Sequence, residues 1–236
     1  GSGEGASSSS REGNAYWNLQ VTSDTLFNAV RECTQQTSNR LYLSHNSIIV
    51  IGRELAEKGG SDYLDMFSRL TETRPSTLLL VSDTTALDVL SVQPELDQLP
   101  AINLSKLMDA QQFNSYARKA DMVFYNNVMI SETTALVLPM AHTLEANGEK
   151  TVYISGLAVF DGNRMVGEMD EKESRGVLWV QDEVQSGVIV LPYKNGKVSV
   201  EITRADVETN LWVQDDKLHA KVKVDMAGKI VENTVP

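Results

Sequence analysis

The chain has 236 residues, 42% of them hydrophobic, and a formal net charge of −11; that length suits one large domain or two smaller ones, with enough apolar material for a real core. The acidic balance excludes a nucleic-acid binder, because phosphate neutralisation needs clustered Lys and Arg, and it opposes direct electrostatic docking on an anionic bilayer. The single cysteine, Cys33, excludes an internal disulfide framework and a Cys-based zinc cluster, and no apolar run approaches the ~18–20 residues that span a bilayer.

Residues 1–14, GSGEGASSSSREGN, read as a tag followed by a flexible Gly/Ser loop. "NAYWNLQV" has the aromatic and β-branched content of a strand. Thr22 or Ser23 then caps a helix in which Leu26, Phe27, Val30 and Cys33 recur at helical spacing, placing Cys33 as a small core residue. "SIIVIG", Ser47 to Gly52, is a short continuous apolar run, the pattern of a strand buried on both faces. "RELAEKG" is a short helix closed by Gly59 and Gly60, and a second helix carries Tyr63, Leu64, Phe67 and Leu70 on one stripe before Pro75. "STLLLVS" reads as another buried strand and "TTALDVLSV" as a helix. "AINLSKLMDAQQFNSYARKA" is helical by composition and spacing. "DMVFYNNVMI" fits strand or helix equally, and "ALVLPMAH" is extended around Pro139.

The polar, Gly-bearing "LEANGEK" is a joint between units, near residues 147–150. After it the grammar changes. "TVYISGLAVF" and "RMVGEM" are strands around the turn Asp161-Gly162-Asn163. Asp170 and Glu173 stand three apart ahead of "SRGVLWV" and form a capping box, and Glu171 with Arg175 makes an i,i+4 ion pair. "GVIVLPY" and "KVSVEIT" flank Asn195-Gly196, a strong hairpin signal. In "KLHAKVKVDM", Leu218, Ala220, Val222, Val224 and Met226 point inward, and Lys217, His219, Lys221, Lys223 and Asp225 point outward. The expected fold class is α+β: an N-terminal mixed sheet with flanking helices over 15–149, then a smaller, mostly antiparallel β unit with one helix over 150–236.

No chemistry-bearing motif accompanies this architecture. His45, His142 and His219 have no i,i+4 partner, so no zinc motif is present. His45 sits in a turn before a buried strand, and His219 lies on the polar face of a strand. A G-x-S-x-G elbow, an S-x-x-K motif and a Walker loop are all missing. The G-x-G of "GSGEGAS" precedes the first recognisable strand instead of following one, so the dinucleotide-binding context fails. Asp215-Asp216 are solvated turn residues. No catalytic, cofactor-binding or metal-ligating residue is assigned, and the chain is read as a non-enzyme.

Three blocks carry a resemblance. The first is "SGLAVFDGNRMVGEMDEKESRGVLWV", with Gly156, Ala158, Val159, Phe160, Val166, Gly167, Glu171, Arg175, Gly176, Leu178 and Trp179 in a fixed pattern. The second is "RLYLSHNSIIVIGRELAEKGGSDYLDMFSR", with Arg40, Leu41, His45, Ile49, Ile51, Gly52, Glu54, Leu55, Ala56, Gly59, Asp65 and Phe67. The third is "GVIVLPYKNGKVSVEI". In this order they resemble the C-subunit lipoproteins of bacterial spore germinant receptors, the Ger(x)C spore germination proteins. The resemblance implies a non-enzymatic subunit with no cofactor, held by a lipid anchor at the outer face of the spore inner membrane. It also implies assembly with two integral membrane partners, the A and B subunits. Family members open with a signal peptide and a lipobox cysteine and continue into a further C-terminal domain. Cys33, inside a helix, does not match the lipid-bearing position, so the chain is expected to be an ectodomain fragment without the lipobox region and that C-terminal domain. Docking on membrane subunits calls for a contiguous exposed apolar patch. Two rival readings are an extracellular small-ligand binding module, signalled by a convergent polar pocket between the units, and an enzyme of another class, signalled by perturbed titratable groups in one cleft.

Overall fold

The computed structural model describes residues 16, 18–36, 41–60, 62–94, 97–146, 148–234. The tag-like residues 1–14, the expected domain edge at Ala15, and Arg40 of the second block lie outside the described residues.

Two apolar pentapeptides build the centre. β1 (Ile48–Gly52) and β2 (Leu78–Ser82) pair in parallel, and all five residues of β2 are buried. A strand with this composition has no polar face to offer water, so both sides must be covered. Leu79 and Val81 face a core shared with α2 (Arg53–Lys58), α3 (Asp62–Arg69) and α6 (Met122–Met129), through Ala56, Leu64, Met122, Tyr125 and Val128. Leu78 and Leu80 face a second core built with α4 (Ala86–Leu90) and α5 (Pro100–Asn114), through Val89, Leu104 and Met108. The ambiguous "DMVFYNNVMI" thus resolves as helix, with Asp121 as its N-cap accepting from the Phe124 N–H at 2.9 Å. α5 stops at Ser115, which adopts a left-handed backbone (φ 54), so the helix expected through Ala120 ends early.

Three longer strands complete this sheet. β3 (Val137–Ala146) runs parallel to β2, then β4 (Glu149–Asp161) and β5 (Arg164–Met169) follow antiparallel, giving the order β1-β2-β3-β4-β5. The stretch near 147–150, where a joint between units is expected, lies within this sheet. Ala146 stands opposite Glu149 and Glu145 opposite Lys150, so β3 and β4 form a hairpin and the sheet runs straight through the boundary placed at 149/150. The Gly-bearing stretch serves as the tight turn, with Gly148 at φ 81. The hydrogen-bonded ladder breaks later, after α7 (Glu171–Val180), where β6 (Gly187–Tyr193), β7 (Gly196–Gln214) and β8 (Lys217–Asn233) form a separate antiparallel sheet. The α+β expectation of one mixed sheet with helices plus one antiparallel sheet therefore holds.

Other differences are local. The strand expected over "NAYWNLQV" does not form among its described residues; instead Tyr16 and Asn18 hydrogen-bond to Gln93 and Ser91. α1 (Leu26–Glu32) is capped by Thr25, contains no buried residue, and leads into a 3-10 turn at Cys33, which is half-buried and outside the core. The β6–β7 loop is Lys194-Asn195, closed by Tyr193 opposite Gly196, one residue before the Asn195-Gly196 turn that the sequence suggests. The core of the second sheet is small: Leu178, Val184 and Ile202, with Trp179, Ile189 and Ala205 against it. Among the described residues no helix is long and apolar enough to cross a membrane.

Candidate interaction surface

The most patterned stretch, Gly156 to Trp179, is the piece that carries the first sheet to the second. Gly156 has φ +83 and donates its N–H to the Tyr116 carbonyl at 3.3 Å. A Cβ there would stand 2.6 Å from the Met169 carbonyl oxygen, so β4 and β5 approach this closely only around a glycine. Asp170 then caps α7. Its carboxylate accepts from the Glu173 N–H at 2.8 Å, and Glu173 accepts from the Asp170 N–H at 3.1 Å, as the spacing predicts. Arg175 departs from its expected pairing with Glu171. It turns inward, donates to the Val188 carbonyl at 3.1 Å, and lies 5.7 Å from the Tyr116 ring centroid. The reason is position: Arg175 sits on the helix face that meets the start of β6, where Gly187 (φ +141) leaves room for the guanidinium.

Two charged groups flank this connection. At the carboxyl ends of β1 and β2, Arg53 pairs with Glu168 of β5 and donates from Nε to the Asp83 carbonyl at 3.0 Å. Asp83 in turn meets His142 of β3, with Oδ2 to Nδ1 at 3.1 Å. On the other side, Arg118 pairs with Glu183, donates to Gln181 at 3.3 Å, and lies 3.9 Å from the Phe124 ring centroid. Burial lowers the proton affinity of Arg118 and raises that of Glu183, in each case against their mutual attraction. Tyr125, in the first core, is pushed up to about 12 by burial, with Asp65 and Asp62 adding to it, and stays neutral.

Two clefts lie beside these groups. One, of about 1220 Å³, is bordered by α4, α5 and the start of β4, with Asp88, Asp97, Lys106, Glu149 and Lys150 on its walls. Its Lys106 is paired with Asp97. The other, of about 600 Å³, lies between α5–α6 and the α7–β6 connection. It contains the Arg118–Glu183 and Lys119–Asp109 pairs, with Asp121 and Asp182 as further carboxylates on its walls. Among the described residues no group of three His, Cys, Asp or Glu is placed to hold a metal ion. His45 lies in a 3-10 turn and His219 stacks on Trp212 at 5.4 Å; neither approaches the Asp83–His142 contact.

What the fold does expose is an apolar ribbon. Past Ile202, β7 and β8 run on as two strands. The pairs Ala205–Met226, Val207–Val224, Thr209–Val222, Leu211–Ala220 and Val213–Leu218 share one face, and polar or charged pairs such as Glu208–Lys223 and Asn210–Lys221 occupy the other. The alternation is as expected, but the inward-pointing assignment is corrected: Leu218 is 71% exposed, and Val222, Val224 and Met226 are also open to solvent. The small core of the second sheet ends near Ala205, and the Thr209 hydroxyl on this face donates to the Val180 carbonyl at 3.0 Å, so the face is most open at its far end, at Val213 and Leu218. The Asp215-Asp216 turn closes the ribbon with both residues at positive φ.

Residues 1–143 match the family model described as the spore germination protein N-terminal domain, and residues 155–236 match spore germination B3/GerAC like, C-terminal. The two models thus meet across the β3–β4 hairpin. Among similar proteins, spore germination protein KC of Bacillus subtilis (strain 168) is 25% identical over 230 residues, covering 89% of this chain and 56% of that protein. The putative spore germination protein YfkR of the same organism is 22% identical over 231 residues, covering 94% and 58%. The chain spans about half the length of the relatives it matches. The crystal structure of the GerBC protein shares the fold, with a TM-score of 0.57 at 17% identity over 86% of this chain and 58% of that one. With both family models matched in order along the chain, it belongs to the Ger(x)C family of spore germination proteins.

Proposed function

We propose that this chain is the ectodomain part of a non-enzymatic C subunit of a nutrient germinant receptor. It is held by a lipid anchor at the outer face of the spore inner membrane, and it acts by assembling with the A and B membrane subunits to trigger germination. The observation that carries this reading is how the family-pattern residues are used. Gly156 permits a close strand approach, Arg175 ties α7 to β6, and Gly59 ends α2 in a left-handed cap. Residues spent on architecture leave surface as the means of action. The test is co-purification with the cognate A and B subunits from detergent extracts, using this chain and the full-length protein. Retention of the full-length protein is expected; if neither is retained, the assembly reading fails.

A second reading, an extracellular small-ligand binding module, is favoured by the cleft of about 1220 Å³ with both lysines and carboxylates on its walls. Thermal-shift measurements across L-amino acids and simple sugars decide it: a saturable shift abolished by Lys150→Ala supports it, and no shift with any of them removes it.

A further inference from the structure

We infer that Asp83 and His142 form a proton-dependent latch between the parallel and antiparallel halves of the first sheet. The warrant is a count of donors and acceptors. His142 Nδ1 faces Asp83 Oδ2 at 3.1 Å, and Nε2 faces the Ser155 carbonyl oxygen at 2.9 Å. A carbonyl oxygen only accepts, and so does an ionised carboxylate. Both contacts are hydrogen bonds only when both ring nitrogens carry hydrogen, that is, when the Asp83–His142 pair holds one more proton than a carboxylate beside a neutral imidazole. Carboxylates ordinarily release protons well below imidazoles, so that proton resides on His142.

The surroundings raise the stakes. Both side chains are about three-quarters buried, at 22% and 24% exposure. The other carboxylate oxygen, Asp83 Oδ1, is buried without a hydrogen-bond partner, so the imidazolium is what compensates this charge. The Tyr153 ring stacks on His142 at 5.0 Å and fixes its plane. The other charged groups around it are Arg53 and Glu57 of α2, Glu168 of β5, and Asp88 of α4, which Lys150 of β4 faces. Arg53 is engaged by Glu57, Glu168 and the Asp83 carbonyl, and its guanidinium is not bonded to the Asp83 carboxylate.

The latch is well placed to matter. β2 and β3 share a short register, Val81 with Met140 and Ser82 with Ala141, and the Asp83 N–H to Ala141 carbonyl bond at 3.0 Å ends it. His142 then ties that end to β4 through Ser155. Loss of the proton sets two lone pairs against each other at one of the two contacts and leaves Asp83 uncompensated. Both contacts are therefore complete on the acid side, and one of them is lost with the proton as pH rises.

The experiment compares pH 5.5 to 8.5 unfolding of the wild-type chain with that of Asp83→Asn. A carboxamide donates to the lone pair of a neutral Nδ1, so this variant completes both contacts without the extra proton. His45 and His219 are common to both proteins and drop out of the comparison. The wild-type folding constant is expected to fall with rising pH relative to the variant, by at most about tenfold per pH unit for one proton. Parallel pH profiles for the two proteins overturn the latch. Nitrogen-15 spectra of the wild-type imidazoles give an independent reading should the variant not fold. Both His142 ring nitrogens protonated at pH 7.5 supports the proposal, and one bare nitrogen at that pH overturns it.

Discussion

Gly156→Ala tests whether the family's pattern glycine is demanded by the backbone of this fold. An L-residue at φ +83 pays about 1–2 kcal/mol for its left-handed backbone. Its Cβ would also sit 2.6 Å from the Met169 carbonyl, a backbone atom that cannot rotate away. Relieving that overlap moves the end of β5, where the Met169 carbonyl also accepts from the Ser174 hydroxyl of α7 at 3.3 Å. Overpacking of this kind adds about 1–3 kcal/mol. The sum is about 2–5 kcal/mol, or on the order of 10 °C in melting temperature for a chain of this size. The same pattern contains two internal controls. Gly167 and Gly176 have open space where a Cβ would go, and neither has a positive φ. Gly167→Ala should be close to neutral, and Gly176→Ala, inside α7, should stabilise by up to about 1 kcal/mol. Urea unfolding of the three variants, with m-values checked for constancy, gives the ranking. If Gly156→Ala unfolds at the midpoint of Gly167→Ala, the close approach of β4 and β5 is not what the glycine serves.

Asp170→Ala removes the capping carboxylate of α7 and should cost about 0.5–2 kcal/mol in the same assay; an unchanged midpoint would mean the cap contributes nothing. Arg118→Ala strands Glu183, which is only partly shielded, so a loss of about 2–3 kcal/mol is expected, below the range for a fully buried pair. Because burial raises the proton affinity of folded Glu183, its contribution to stability is present at low pH and lost as pH rises through the folded value. Wild type should therefore gain on Glu183→Gln as pH falls through the mildly acidic range, and a constant gap between the two would refute that sign. Val213→Glu with Leu218→Lys, both 71% exposed, should change stability by less than about 0.5 kcal/mol. A larger loss would show that the ribbon's apolar face is packed in solution.

Much of this fold was legible because local rules and the global fold agree. The five buried residues of β2, the Asp170–Glu173 cap and the Asp161-Gly162-Asn163 turn follow from composition and spacing alone. Less is legible where one short signal serves two structures. "LEANGEK" is polar and glycine-bearing whether it links units or turns a hairpin, and only the pairing of β3 with β4 decides. The stripe of Leu218, Val222 and Val224 fixes a register but cannot say what covers the face it defines. Arg175 looked like half of a helix-surface ion pair because its other partners, Val188 and Tyr116, come from β6 and from beyond α5.

The Asp83–His142 contact lies further out of reach, since 59 residues separate its members and neither belongs to a motif. That asymmetry bears on function. The patterned glycines, caps and turns are readable because they are local, and they build the frame. The groups that bridge elements, Arg53 with Glu168, Asp83 with His142 and Arg118 with Glu183, each join segments far apart in sequence. Two of these bridges stand at the carboxyl ends of β1 and β2, and the third stands where α5 and α6 meet the α7–β6 connection. Under the proposed function, a subunit without a reaction to catalyse has only relative movement and surface with which to carry a signal. In this chain three ionic contacts bridge such segments, beside the strand ladders and apolar cores that also join them, and a change in protonation acts on the ionic contacts directly.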